Sequence, residues 1–329
     1  MNFRGVFLLI FFIHSPAHPV LVCAEKLTNP DGKTCYIYSD AHEYPTSQDE
    51  EAQLKALTGF LENRETFFQS PLLDIFIEQP LSVATKYDPY QRVTSSLKTP
   101  YLQQQKLLTN RVIPSEIRCA SLATLYMLDK IKNQQIPEKK LIFSLHDSKY
   151  SVEQLTFFNL DNEFQVNLKK LMPFLKLFYG NEHLDTELKY FDNTSRTNKS
   201  WLAKYYNEFK QEYKQANRQS PLLPYIEKCD SRKRSRLWTV TSQLFEHLFN
   251  LHLFKSLHRT LNNPLKKEAM LISGYLHALK VSQMLHCIGF ETSKYYSTGY
   301  NPYGGIINPL PANQLDLLEK DSFQECIVL

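Results

Sequence analysis

The chain has 329 residues, 43% of them hydrophobic and 22% charged, with a net charge of +4. That balance supports a buried core and excludes a disordered chain. Basic and acidic residues are interleaved almost everywhere, which argues against a nucleic-acid partner. The one basic run, Arg232-Lys233-Arg234-Ser235-Arg236, has the length of a solvated helix start.

Residues 1–4 carry one positive charge, residues 5–13 are apolar, and Val22-Cys23-Ala24 offers small residues for cleavage. This three-part pattern predicts a secretory signal over 1–24, cut after Ala24, and an exported protein, periplasmic or secreted. No later stretch reaches the roughly 20 apolar residues of a membrane-spanning helix. Beyond the expected cut lie Cys35, Cys119, Cys229, Cys287 and Cys326. An odd, widely spaced set without Cys-x-x-Cys argues against a disulfide scaffold or a zinc ribbon. Cys35, Cys119 and Cys287 sit in apolar contexts and read as buried hydrophobes.

Asn29-Pro30-Asp31-Gly32 marks a turn, and a strand is predicted over 34–39, ending at Asp40, His42 and Glu43. A helix to about residue 62 follows, with Leu54, Leu57 and Leu61 on one face. The next strand, 72–77, stops at Glu78, where Pro80 blocks further pairing. Residues 82–110 read as a covering loop. A strand over 111–117 ends at Arg118, and a helix is predicted over 120–132. Residues 140–145, before His146-Asp147, read either as a fourth strand or as the start of a helical section. The helical pattern then runs over about 151–262.

Its clearest helix, 236–261, carries Leu237, Val240, Leu244, Leu248 and Leu251 at spacings of three and four. His247, His252 and His258 lie on it without an i, i+4 pair, so they read as packing or surface residues. A last strand (267–273) turns at Gly274 into a helix over 276–288, closed by Gly289. The tail from 297 onward reads as irregular. The order predicts one α/β domain over 25–329, with a central, mainly parallel sheet, flanking helices and a large helical insertion.

Charged residues at the ends of apolar strands mark the edge where α/β proteins keep their chemistry. His42, Glu78, Arg118 and His277 are therefore expected to face one cleft. As ligands, His42, Glu78 and His277 would form a two-histidine, one-carboxylate site for a divalent metal such as zinc or manganese. Without metal, His42 would act as general base and Arg118 would steady an anionic intermediate. Structural readings stand beside these: His42 as a helix cap, Glu78–Arg118 as an ion pair, and His277 bonded to a neighbouring loop. The expected activity is hydrolysis of an ester or amide in a small molecule or peptide. The alternative is a non-enzymatic protein that binds a ligand or partner.

Ser39-Asp40-Ala41-His42-Glu43 resembles the Gly-Glu-x-His-Asp strand end of the TraB/ChaN and erythromycin-esterase-like superfamily. Ile75-Phe76-Ile77-Glu78 is similar to its second motif, an apolar strand ending in glutamate. Ser273-Gly274-Tyr275-Leu276-His277, with Gly289-Phe290 further on, resembles its Gly-x-x-His motif and Gly-aromatic close. Glu116-Ile117-Arg118 resembles an acid-x-Arg element of relatives. The resemblance covers about a quarter of the chain in matching order. It implies an α/β core with a helical insertion and a cleft built from His42, Glu78, Arg118 and His277. Members include metal-dependent peptidases, metal-independent esterases and haem-associated lipoproteins, so the resemblance does not select a reaction. This chain departs from the pattern at Ser39 and Asp40.

The chain ends in Cys326-Ile327-Val328-Leu329, a match to the Cys-aliphatic-aliphatic-x prenylation pattern. The segment before it is acidic on balance rather than polybasic, so the second membrane signal is missing, and an unmodified tail is expected.

Overall fold

The computed structural model describes residues 20–41, 52–53, 55–57, 73–78, 111–145, 148–178, 201–299 and 310–311. Its centre is a six-stranded sheet built from β1 (Val20–Thr28), β2 (Thr34–Ala41), β3 (Asp74–Ile77), β4 (Arg111–Pro114), β7 (Glu268–Gly274) and β8 (Glu291–Ser297). The strand order is β4-β3-β7-β2-β1-β8. The first four run parallel, and β1 reverses direction against both β2 and β8. The sheet is therefore mainly parallel, as expected, and β7 arrives late in the chain to fill the gap between β3 and β2.

Strand residues alternate between the two faces of a sheet. Cys35, Ile37, Phe76, Ala269 and Leu271 share a core with the helical layer. Tyr36, Tyr38, Ile75, Ile77, Met270 and Ile272 share the opposite core with Leu57 and Leu310. Both faces of β2, β3 and β7 are thus covered, which is why their sequences read as nearly unbroken apolar runs. On the second face the buried Gln53 carboxamide accepts from Leu21 N at 2.7 Å and donates to the carbonyls of Leu21 (3.0 Å) and Leu310 (2.7 Å). This one side chain ties the start of β1 to residues far away in the chain.

The helical layer comprises α1 (Cys119–Lys132), α2 (Phe157–Leu175), α3 (Trp201–Glu212), α4 (Leu222–Lys228) and α5 (Ser231–Leu261). Thr156 and Asn159 form a reciprocal capping box at the start of α2. Asp230 caps α5 by accepting from Lys233 N at 2.6 Å. That cap begins α5 five residues before the predicted 236, so the basic run occupies its first turns. Positive side chains oppose the helix dipole there, and Glu212 offsets this through Lys233 at 2.8 Å and Arg236 at 3.2 Å. After β7, α6 (Tyr275–Cys287) ends in a Schellman turn, with Phe290 N donating to Leu285 O at 3.2 Å. Gly289 supplies the positive φ of 92° that this turn needs, in line with the predicted helix-ending glycine.

Several expectations change. The strand predicted over 140–145 is β5 (Ile142–Leu145), which pairs with β6 (Ser148–Ser151) in a separate hairpin and not with the central sheet. It packs on α1 instead, where Phe143 meets Tyr126 with ring centroids 5.8 Å apart. The strand predicted over 111–117 ends at Pro114, because Ser115 to Arg118 turn to start α1. β8 was not predicted: its exposed, polar residues show no apolar alternation. The predicted cut after Ala24 falls inside β1. Leu21, Val22, Cys23 and Ala24 are buried there, so the folded domain takes in residues assigned to the leader. Cys35 and Cys119 are buried as expected, whereas Cys287 is half-buried, and no disulfide occurs among the described residues. The covering loop, His146-Asp147 and Cys326 lie outside the described residues.

Candidate functional site

β3 and β7 stop side by side. Glu78, the residue after β3, donates its N–H to Ile272 O at 3.1 Å, which keeps it in line with β7. Its carboxylate then splits: Oε2 accepts from Gly274 N at 2.7 Å, and Oε1 accepts from Arg118 Nη2 at 2.9 Å. Gly274 is the residue that opens α6. A carboxylate at a helix start is favoured by the helix dipole.

Arg118 arrives from the turn after β4, held by its near neighbour Glu116. Glu116 Oε1 accepts from Arg118 N (2.9 Å) and Nε (2.8 Å), and Oε2 accepts from Nη2 (2.7 Å). The guanidinium also lies 4.1 Å over the face of Phe249 from α5. Burial alone would work against its charge, but Glu116 and Glu78 more than offset this and raise its pKa. Burial likewise would raise the Glu116 carboxyl, yet Arg118 holds it below the usual carboxylate range.

His277 sits in the first turn of α6. Its Nε2 lies 3.2 Å from Arg118 Nη1 and 3.7 Å from Glu78 Oε1, and its Nδ1 lies 2.6 Å from Asn250 Oδ1. Its ring stands perpendicular to that of Phe249, with centroids 5.0 Å apart at 90°. A third carboxylate, Glu246, reaches the same charges from α5 and accepts from Ser242 Oγ. Burial dominates there, assisted by Glu78 and opposed by Ser242 and Arg118, and raises its pKa.

The structure thus brings together three of the four predicted residues: Glu78, Arg118 and His277. His42, which directly follows β2, lies outside the described residues. Asp40 is buried at the end of β2 in register with Gly274. The expected Glu78–Arg118 ion pair exists, but it belongs to a larger network that includes His277. Ser242, Glu246, Phe249 and Asn250 were missed. The available signal was polar residues at 242, 246 and 250, four apart, on a helix whose other stripe is leucine.

Two histidines of α5, His247 and His258, pack against aromatic rings. His247 stacks on Tyr205, and burial pushes its pKa down to about 4. His258 packs against Phe174 and Phe178.

Among the described residues no group of three or more His, Cys, Asp or Glu side chains is arranged to hold a metal ion. In the expected metal set, Glu78 Oε1 and His277 Nε2 both face the Arg118 guanidinium. A cation there would compete with Arg118 for both atoms, so the described donors do not fit a resident metal. No family model, curated protein or solved structure matches this chain.

Proposed function

We propose that the chain is an exported hydrolase that cleaves an ester or amide at the Glu78–Arg118–His277 site, with His42 as a further contributor. The observation that supports this most is the position of His277 Nε2, beside a buried guanidinium that itself rests on two carboxylates. A guanidinium donates hydrogen bonds and accepts none. Nε2 therefore presents a lone pair, as a general base must.

A substrate carbonyl oxygen would replace Nε2 as the acceptor of Arg118 Nη1. Water held by the freed Nε2 then attacks the carbonyl carbon and passes its proton to His277. Arg118 stabilises the charge that develops on the carbonyl oxygen. The carbon–oxygen or carbon–nitrogen bond breaks as His277 returns the proton to the leaving group. Glu78 Oε1, 3.7 Å from Nε2, stabilises the imidazolium in between. Glu116 and Phe249 fix the guanidinium so that it does not reorganise during the reaction. No step requires a metal.

One observation favours the alternative of a non-enzymatic binding protein: Arg118 is already heavily engaged by Glu116, Glu78 and Phe249. Screening a panel of model esters and amides with protein spanning 20–329, beside Glu78→Gln, separates the two readings. A hydrolase shows turnover that Glu78→Gln reduces about 10²-fold or more. A folded wild type without turnover on any member favours the binding reading.

A further inference from the structure

The protons on His277 and Asn250 follow from one fixed point. Arg118 has donors only, so His277 Nε2, at 3.2 Å, is the acceptor. A neutral imidazole that accepts at Nε2 carries its proton on Nδ1. Nδ1 lies 2.6 Å from an Asn250 side-chain atom, and that atom must therefore be an acceptor. Turned over, the carboxamide would bring its NH2 group against Nδ1–H, donor against donor. The assignment of Oδ1 toward His277 is thus set by the network, from a guanidinium two hydrogen bonds away from the amide.

We infer that Asn250 is the positioning residue of His277: it holds the Nδ1–H tautomer and so aims the Nε2 lone pair at Arg118. Asn250 is only 5% exposed and is carried by α5, the same helix that supplies Phe249 against both the His277 ring and the Arg118 guanidinium. α5 therefore contacts the histidine at two points, through Asn250 and Phe249. A neutral acceptor also suits this place better than an acid. Glu78, Glu116 and Glu246 already surround one guanidinium. A fourth carboxylate on Nδ1 would favour the charged imidazolium and remove the lone pair. The tautomer stands on geometry alone; its consequence for turnover rests on the hydrolase reading.

The test uses the full chain labelled with ¹⁵N-histidine, with His277→Gln identifying the His277 signals in long-range ¹H–¹⁵N spectra. The wild type is expected to show a protonated Nδ1 and an unprotonated Nε2. Asn250→Ala is expected to lose this preference and become a mixture or the Nε2–H form. Asn250→Asp is expected to keep Nδ1–H while raising the pH at which His277 charges by about one unit or more. In turnover, Asn250→Ala is expected to lower kcat about tenfold or more with little change in KM. A wild-type Nε2–H tautomer, or an unchanged Nδ1–H tautomer in Asn250→Ala, overturns the inference. If Asn250→Ala does not fold, Asn250→Asp decides, and an unchanged titration of His277 overturns it. Absence of turnover in every protein, with the expected spectra, refutes the hydrolase reading and leaves Asn250 as the positioning residue.

Discussion

Glu116 grips Arg118 at three points within two residues of chain: the backbone N–H at 2.9 Å, Nε at 2.8 Å and Nη2 at 2.7 Å. Both side chains are almost fully buried. Taking two charges out of water is costly, and the close hydrogen bonds repay that cost only while both partners are present. Glu116→Ala leaves the guanidinium with Glu78 as its remaining close carboxylate. It is expected to destabilise the protein by about 3 kcal/mol or more in denaturant unfolding. A loss below about 1 kcal/mol would show that Glu78 alone supports the charge.

A second buried carboxylate predicts a pH effect. Glu163 of α2 accepts from Ala120 N at 2.6 Å and Ser121 N at 3.0 Å, satisfying amides at the start of α1 directly after Arg118. Burial pushes its pKa up from 4.5 to about 7, against these hydrogen bonds and with help from Glu116. The folded chain therefore holds a proton that the unfolded chain has released between those values. The stability this group contributes is fully present below pH 4.5 and is lost as pH rises through about 7. Glu116 has the opposite sign, because its lowered pKa contributes above the unfolded value, but it is common to both proteins compared. Relative to wild type, Glu163→Gln is expected to gain up to about 3 kcal/mol between pH 5 and pH 8, at roughly 1.4 kcal/mol for each unit. Unfolding curves of the two proteins that shift in parallel with pH would contradict this.

Strand β1 sets a limit on N-terminal trimming. A chain starting at Glu25 lacks Val20 to Ala24, the first five of nine strand residues, and loses the bonds between Leu21 and Gln53. Burial of side chains such as Leu21 and Val22 stabilises by about 1.5–3 kcal/mol each. Protein spanning 25–329 is expected to melt well below protein spanning 20–329, or to be insoluble. Equal melting temperatures would show that this part of β1 is dispensable.

The parallel strands were legible because both of their faces are buried, so 34–39, 72–77 and 267–273 stand out as apolar runs with a charged or glycine stop. That stop also revealed Glu78, and the glycine turn revealed His277. The expected cut after Ala24 falls within β1 because Val20 to Ala24, a buried apolar stretch, has the same composition as the end of a signal sequence. β8 escaped because an edge strand can be polar on both faces. Asn250 and Glu246 were hidden by distance: they come from the insertion, and only the packing of α5 over the strand ends brings them to His277. No local pattern encodes that crossing, although the polar stripe on α5 marks it in retrospect.

The central claim is that His277 is the base, and chemical rescue tests it most directly. His277→Ala removes the imidazole and leaves space beside Arg118 and Phe249. On a model ester turned over by the wild type, the variant is expected to lose about 10²–10⁴-fold in kcat. Added imidazole is expected to restore part of that rate, in proportion to its unprotonated fraction. Undiminished hydrolysis by His277→Ala would contradict the account.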